Sequence, residues 1–415
     1  MKGLLLLAAM AWAAAVSPAL AAPVLERVVL VQRHGVRPPT APNDKLNTLS
    51  AEAWPAWPVA PGELTPRGFE QVRLVAASIR QHYALAGLLP AKGCAPAGSI
   101  AVWADAGDQR TRLSGMALAD GLAPGCGVGT PYRNLPGPDP IFDGVEDADC
   151  VTDPAAAQAA VAALAGPGGL QTDETRAAMK RLQAVVAPAG CDGGPGVCLA
   201  GDDTLAAGRY GAGWNGPMAT GATLAENLLL EYAQGLTGRD LGWGRIVTAD
   251  DIAAVMPAHE RTARLLRRDV YLAGRRGAPM ARAMLQAMQG EPTAGDAGPK
   301  SGPDVKLVAL AGHDTNLSMI GGLFDVDWSL PGQPDATAPA TALAFEVWRD
   351  GERRYVRPVV FYFTLDQLRS LSPDAANAMP LKVDGCADGP EGLCALEQVK
   401  QRVEARLVPG CLPKS

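Results

Sequence analysis

Arginines, histidines and acids cluster in three short loops, and each loop follows a segment that predicts a buried strand. The loops contain Arg33-His34-Gly35-Val36-Arg37, Asp108-Gln109-Arg110 and His313-Asp314. In parallel α/β sheets, ligand sites form outside the carboxyl ends of the strands, so three such loops can converge on one site. We therefore expect these side chains to act together.

The residue types in these loops fit the chemistry of a phosphoryl group. A guanidinium presents a planar fork of donors that matches phosphate oxygens, and a helix starting near Arg110 adds backbone N–H groups and a positive dipole. One imidazole can attack phosphorus, and the carboxyl of Asp314 can protonate the departing oxygen. These groups suffice to hydrolyse a phosphomonoester without a metal or another cofactor.

The same residues also fit purely structural roles. Arg-His-Gly alone is a weak signal, because an Arg after a strand is often a surface residue and His-Gly often forms a turn. However, the chain has four histidines, and two of them, His34 and His313, lie at the ends of predicted strands. This favours a site. We expect His82 to be a surface or packing residue and His259 to lie on the surface of a helix.

The elements that must position the loops predict an α/β fold. Strands are predicted at residues 24–31, 100–104, 305–311, 342–348 and 355–363. Thr65 followed by Pro66 predicts a helix start, and Asp108 can cap a helix that begins at Gln109. From about residue 153 to residue 289 there is almost no strand signal. We therefore predict a mixed or parallel sheet sandwiched by helices, built from residues 22–150 and 290–415, with a mostly α-helical domain inserted at residues 151–289.

The N-terminus and the cysteines predict export. Residues 1–21 combine a basic start, the apolar stretch Leu4 to Val16 and the small-x-small pattern Ala19-Leu20-Ala21, which is typical of a signal peptide. The apolar stretch is shorter than the roughly 20 residues of a membrane-spanning helix. We therefore expect a periplasmic or secreted protein that is free of the membrane after cleavage. All eight cysteines lie beyond residue 21, and an even count in an exported chain predicts disulfides.

Charge and spacing exclude two other classes of protein. There are 37 Lys and Arg against 43 Asp and Glu, and no basic run is longer than a pair such as Arg267-Arg268. Binding of nucleic acid is therefore not expected, because it needs a broad field of cations. A zinc site is not expected either, since there is no C-x-x-C pair and no histidine lies near a cysteine in the sequence.

Several longer motifs connect the three loops to a known family. Residues 33–40 read Arg-His-Gly-Val-Arg-Pro-Pro-Thr, and Gly312 precedes His313-Asp314. Matching segments continue at 54–59, 64–68, 110–112, 242–246, 311–317 and 329–335 and at the C-terminal cysteines. Together they resemble the histidine acid phosphatase family, in particular its bacterial periplasmic phytase and acid phosphatase branch. The resemblance implies an α/β core like that of phosphoglycerate mutases, with a helical domain inserted.

The resemblance also implies roles for individual residues. His34 would be the nucleophile that forms a phosphohistidine, and Asp314 would be the proton donor. The phosphate would be held by Arg33, Arg37, Arg110 and His313, and the rest of the substrate by Thr40, Asp105, Glu226 and Arg276. The implied disulfides are Cys94–Cys126, Cys150–Cys411, Cys191–Cys198 and Cys386–Cys394.

Two positions depart from the phytases of this family. Ala41 stands where those enzymes carry a lysine, and Thr223 stands where they carry a methionine. Recognition of phytate therefore loses one cation, which Arg276 can replace in part. We also expect a preference for acid pH, because Asp314 must carry a proton and an ordinary Asp has a pKa of about 3.9.

Three functions remain open from the sequence. The first is a phytase or broad acid phosphatase, the second is a glucose-1-phosphatase-like enzyme for small sugar phosphates, and the third is a non-catalytic periplasmic phosphate-binding protein. A nucleophile beside an acid argues against the third, because a pure binder gains nothing from them. We expect a monomer whose partner is a small phosphorylated substrate such as an inositol or sugar phosphate.

Overall fold

A computed structural model describes residues 22–145, 148–208, 210–293, 298–386 and 389–413. The predicted signal peptide at residues 1–21 lies outside these residues. Within the described part of the chain, no helix has both the length and the apolar character needed to cross a membrane.

The core is one mixed sheet of seven strands, with a separate two-stranded hairpin. The strands are β1 Val24–Arg33, β2 Ile100–Ala104, β3 Thr204–Ala206, β4 Gly213–Asn215, β5 Leu307–Gly312, β6 Ala342–Asp350, β7 Arg353–Tyr362, β8 Asn377–Pro380 and β9 Cys394–Ala395. The order in the main sheet is β2-β5-β1-β6-β7-β8, with β9 paired to β7, and β3 pairs with β4. Strands β2, β5 and β1 are parallel to one another. Strand β6 runs antiparallel to its two neighbours, β1 and β7. The predicted α/β sandwich is confirmed.

Helices cover both faces of the sheet and fill the long middle segment. They are α1 Asn43–Leu46, α2 Pro66–Leu85, α3 Gln109–Leu122, α4 Pro140–Asp143, α5 Pro154–Ala165, α6 Asp173–Val186, α7 Met218–Gln234, α8 Ala249–Ala253, α9 Pro257–Arg267, α10 Val270–Arg276, α11 Ala278–Gln289, α12 Asp314–Leu323, α13 Leu365–Ser370 and α14 Leu396–Glu404. Thr65 caps α2 as predicted, its side chain accepting from the Gly68 N–H. Asp108 precedes α3 but makes no cap hydrogen bond, because its carboxylate pairs with Arg110 instead.

The centre of strand β1, residues 28–31, is a continuous apolar run because it is buried on both faces. Val29 and Val31 belong to the hydrophobic cluster under α11 and α12, whereas Val28 and Leu30 belong to the cluster under α2 and α3. Alternate side chains of a strand point to opposite faces, so a strand covered on both sides reads as a continuous apolar run. The sequence signal for this strand thus has a direct structural cause.

The middle segment packs both on itself and on the core. Helices α6, α7 and α9 contribute to a further hydrophobic cluster, which also includes Leu46, Trp54 and Leu365 from outside the segment. Helix α11, however, places Met280, Met284 and Met288 in the same cluster as Val29 of β1. The division of the chain into a core and an inserted domain at residues 151–289 stays a prediction.

Four disulfides join the cysteines in the pairs that the family resemblance implied. They are Cys94–Cys126, Cys150–Cys411, Cys191–Cys198 and Cys386–Cys394. The second pair closes the longest loop, with a sequence separation of 261, and ties the C-terminal end to the start of the middle segment. In the chain-entropy view, a long closed loop removes the most freedom from the unfolded chain.

Candidate active site

The sheet register brings the three predicted loops to one edge. Arg33 at the end of β1 lies opposite Gly312 of β5, and Ala104 at the end of β2 lies opposite Ala311. The residues that follow these strands therefore emerge side by side. The His34 and His313 rings lie edge to face with their centroids 5.5 Å apart.

Two glycines hold the first loop directly against the start of α2. A Cβ built on Gly35 would lie 2.0 Å from the Gly68 carbonyl oxygen, and one built on Gly68 would lie 2.3 Å from the Val36 oxygen. Gln71 of α2 accepts from the Val36 N–H at 3.1 Å. The loop that carries His34 and Arg37 is thus fixed by a contact that any larger side chain would push apart.

His34 is held as a neutral imidazole. It is 1% exposed, and its Nδ1 lies 2.9 Å from the Gly35 carbonyl oxygen. Because a carbonyl only accepts, Nδ1 carries the proton and Nε2 keeps its lone pair. Burial, with the charges of Arg37 and Arg33, holds the pKa of His34 well below its usual 6.5. The ring is therefore available as a nucleophile even in acid.

Arg33 is locked in place by acceptors on both sides. One Nη donates to Asp335 at 2.9 Å and to the Thr337 carbonyl at 2.6 Å, and the other donates to Glu226. Arg37 lies 3.6 Å from the same Glu226 oxygen. Burial opposes ionisation of Glu226, but Arg37 and Arg33 hold its pKa below the usual range. The result is a fixed pair of guanidinium groups bridged by one carboxylate.

His313 and Asp105 form a second fixed pair. His313 Nε2 lies 2.7 Å from Asp105 Oδ2, and Asp105 also accepts from the Gly107 N–H at 2.9 Å. Asp105 is 1% exposed. The resemblance predicts that Asp105 lines the substrate pocket. In the structure it is buried against His313 and fixes the orientation of that ring.

Asp314 begins α12 and pairs with Arg267, a residue that the sequence did not single out. Arg267 ends α9 and donates an Nη to Asp314 Oδ2. Burial favours the neutral acid, but the charges of Arg267 and Arg33 hold the pKa of Asp314 well below its usual range. The ordinary Asp pKa assumed from the sequence therefore does not apply to the free protein.

Arg110 and Thr40 meet at one side of the site. Arg110 pairs with Asp108 at 2.5 Å and donates to the Gly62 carbonyl at 3.2 Å. A Cβ on Gly62 would lie 3.5 Å from both the Arg110 Nη1 and the Thr40 side chain, and Thr40 is exposed. Both side chains thus border the same loop.

Arg276 lies in an adjoining cavity of about 410 Å³. Its guanidinium stacks on the Tyr210 ring at 3.3 Å from the centroid. Asp143 lines the same cavity, and although burial chiefly raises its pKa, it feels the charges of both His313 and Arg276. Arg276 is therefore a neighbour of the histidine pair and not a member of the arginine pair around Glu226.

One carboxylate and histidine group in this site has metal-ligand proximity. Asp105, Asp108 and His313 each offer a ligand atom within 4.8 Å of the others. Asp105 also lies against His313, and Asp108 against Arg110, so both carboxylates already have partners among the described residues.

The family model described as the histidine phosphatase superfamily, branch 2, matches residues 24–187 and 252–360. The chain belongs to this superfamily. The resemblance predicted from the sequence is confirmed, and by family the chain is a phosphoric monoester hydrolase. It is 33% identical to phytase AppA of Escherichia coli strain K12 over 406 residues, 93% of each chain. It is 26% identical to glucose-1-phosphatase of Salmonella typhimurium over 388 residues, 90% of each chain.

Solved structures agree with the family. Hafnia alvei phytase in complex with tartrate superposes with a TM-score of 0.86 at 33% identity, covering 96% of this chain and 100% of that one. In this histidine phosphatase, the nucleophile, the proton donor and the four phosphate-binding residues predicted from the sequence lie around one edge of the sheet. Thr40 and Arg276 lie at its border. Arg267 and Asp335 are charged residues of the site to which sequence reasoning gave no role.

Proposed function

We propose that this protein hydrolyses phosphomonoesters through a phosphohistidine at His34. The observation that carries the proposal is a neutral imidazole, with Nε2 unprotonated, held among the guanidinium groups of Arg33, Arg37 and Arg110. Arginines that bind the phosphoryl oxygens neutralise charge and leave phosphorus open to attack. A protein that only binds phosphate has no use for this nucleophile.

The reaction balances with two residues that exchange charge. His34 Nε2 attacks phosphorus, the bond from phosphorus to the ester oxygen breaks, and Asp314 gives its proton to that oxygen. Water then attacks the phosphohistidine, Asp314 takes the proton from water, and the P–N bond breaks. The products are an alcohol and phosphate, and both residues return to their starting states.

We expect these reaction steps to run at acid pH because Asp314 gains its proton in the complex with substrate and not in the free enzyme. Arg267 and Arg33 hold Asp314 ionised before the substrate binds. A bound phosphoryl group adds negative charge beside Asp314 and engages Arg33, which raises the pKa of this carboxyl. His34 meanwhile stays neutral in acid.

The substrate class that fits best is a polyphosphorylated inositol such as phytate. Arginines surround the site, and the related Hafnia alvei phytase, at a TM-score of 0.84 and 32% identity, is known in complex with myo-inositol hexakis sulphate. A glucose-1-phosphatase activity is the second candidate, since the Salmonella typhimurium enzyme of that name is similar over most of the chain. We propose that the protein is periplasmic or secreted, which the predicted signal peptide and the four disulfides support, and that it is a monomer.

The test is labelling of the enzyme combined with one substitution. Rapid-quench experiments on the wild type should show phosphate on His34, with turnover of phytate and p-nitrophenyl phosphate at acid pH. His34→Ala should abolish turnover but still bind inorganic phosphate, because the arginines supply most of the affinity for the anion.

The matched control is His82→Ala, which removes a histidine whose side chain is 35% exposed on α2. It should keep full activity. If His34→Ala still hydrolyses the substrates, the covalent mechanism is refuted. If the wild type binds phosphate but hydrolyses none of the esters, the protein is a phosphate-binding protein and not a phosphatase.

A further inference from the structure

Arg267 is a cation with unused donors beside the candidate proton donor. Its side chain is 22% exposed, and that of Asp314 is 14% exposed. Within the described ranges, Asp314 is the hydrogen-bond partner found for Arg267, through one Nη. A guanidinium has five N–H donors in a planar fork, so donors remain that reach towards solvent.

The other arginines at this end of α9 point elsewhere. Arg264 and Arg268 both pair with Asp327, at 2.8 Å and 3.1 Å, and Arg268 also lies over the Trp328 ring. Of these three arginines, Arg267 faces the site. Its charge acts there on Asp314, Glu226 and Arg33.

The position of Arg267 relative to the reaction defines what it can bind. If Asp314 protonates the ester oxygen, that oxygen lies one hydrogen bond from Asp314, and Arg267 lies one hydrogen bond beyond it. The arginine is therefore within about 6 Å of the leaving oxygen, on the side of the alcohol. An anionic group on the carbon next to the scissile ester falls within that reach.

We propose that Arg267 is a specificity-determining residue that binds a second phosphate on the carbon adjacent to the scissile ester. The inference rests on the proposed function and goes beyond it, because it names the substrate feature that is selected. A vicinal polyphosphate gains a charge-assisted hydrogen bond from this arginine, and a lone phosphomonoester does not.

A positioning role for Arg267 makes a different prediction. The charged groups around Asp314 are Arg267 and Arg33, with Glu226 and His259 close by. If Arg267 only holds the carboxylate ionised, its loss changes the protonation of Asp314 for every substrate alike. The two roles are therefore distinguished by the ratio of kcat/KM for two substrates, a vicinal polyphosphate and a lone phosphomonoester, that both have an alkoxide leaving group.

The experiment compares phytate with glycerol 2-phosphate. Arg267→Gln should lower the ratio of kcat/KM for phytate to kcat/KM for glycerol 2-phosphate by about ten- to hundredfold, the range for one charge-assisted hydrogen bond. A loss that both substrates share reflects the changed surroundings of Asp314 and cancels in this ratio. Any shift of the acid limb of the pH profile should be the same for both. Arg267→Lys, which keeps the charge, should retain part of the phytate preference.

Binding gives a readout that does not depend on turnover. Calorimetry should show weaker binding of myo-inositol hexakis sulphate to Arg267→Gln, with unchanged binding of inorganic phosphate. Arg264→Gln, one turn earlier on α9, is the control and should leave both the ratio and the binding as in the wild type.

The outcomes separate the two proposals. Equal losses on both substrates in Arg267→Gln, with unchanged hexakis sulphate binding, would overturn the inference and leave the phosphatase proposal intact. A wild type that hydrolyses neither substrate would instead overturn the proposed function.

Discussion

The carboxyl of Asp314 is the proposed proton donor, although its surroundings in the free protein favour the ionised form. Arg267 pairs with it directly, and Arg33 adds a second positive charge. A general acid in this environment has to gain its proton once a negatively charged substrate arrives. How much the reaction needs that proton depends on the leaving group.

Substitution of Asp314 therefore tests the role of the acid through the leaving group. An inositol alkoxide is strongly basic and needs a proton as the bond breaks, whereas p-nitrophenolate departs as a stable anion. Asp314→Asn should slow phosphohistidine formation from phytate by about 10²–10⁴-fold, the usual range for general acid catalysis, and slow that from p-nitrophenyl phosphate far less. Single-turnover rates are the measurement, because slow hydrolysis of the phosphoenzyme would hide the first step in kcat.

Asp108→Asn is the control for this experiment. It removes a nearby carboxylate, which pairs with Arg110, and any loss should be the same for both substrates. Equal losses from the two substrates in Asp314→Asn would mean that the proton comes from another group.

Residues at strand ends could be found from the sequence, but pairs between distant elements could not. His34, Arg37 and Asp314 sit in short motifs directly after apolar strand segments. Arg267 meets Asp314 only because α9 packs beside α12, and no local pattern records that packing. His259 was expected on a helix surface, which is wrong: it is 3% exposed, with Nδ1 3.3 Å from the Ala222 carbonyl oxygen.

At the scale of elements, the site depends on how closely β1 and α2 approach. The loop after β1 touches the first turn of α2 through Gly35 and Gly68. At this junction the Thr65 hydroxyl donates to the Val36 carbonyl oxygen and accepts from the Gly68 N–H. The strands themselves were predictable because burial on both faces produces apolar runs. The closeness of this junction was not, since two glycines in separate segments give no sign of contact.

Gly68→Ala should therefore disturb catalysis through packing. The added Cβ would lie 2.3 Å from the Val36 oxygen, so the loop with His34 and Arg37 has to move. Overpacking of this kind costs about 1–3 kcal/mol of stability, and a shift of about 1 Å in a catalytic group can cost about a hundredfold in rate. Thermal unfolding and kcat/KM for p-nitrophenyl phosphate would measure both effects.

Gly129→Ala provides the comparison, because a Cβ there meets nothing within 4 Å. It should leave both Tm and kcat/KM close to those of the wild type. If Gly68→Ala behaves in the same way, the contact between the loop and α2 does not position the site.

At the scale of the whole molecule, two buried acids outside the site, Glu231 and Asp139, contribute more to stability in acid than at neutral pH. Burial raises the pKa of Glu231 to about 8, against hydrogen bonding from the Gly242 N–H at 3.0 Å. Burial also raises the pKa of Asp139 to about 6, although the Ile141 N–H and Trp103 donate to it. Both groups keep a proton in the folded protein that they lose in the unfolded chain above their ordinary pKa values. These two groups therefore contribute more to the stability of the fold in acid than at neutral pH.

Glu231 gives the last prediction, and the sign follows from linkage. The folded protein binds the proton more tightly, so this contribution to stability is fully present below pH 4.5 and is lost as the pH rises towards about 8. A rise in pKa from 4.5 to about 8 corresponds to at most about 5 kcal/mol.

The free energy of unfolding in urea, with the disulfides intact, should therefore fall from pH 5 to pH 8 in the wild type and fall less in Glu231→Gln, which is neutral throughout. Glu352→Gln, at an exposed turn between β6 and β7, should keep the slope of the wild type. Parallel curves for the wild type and Glu231→Gln would mean that Glu231 is ionised in the folded protein, and that its burial beside Gly242 is offset by other groups.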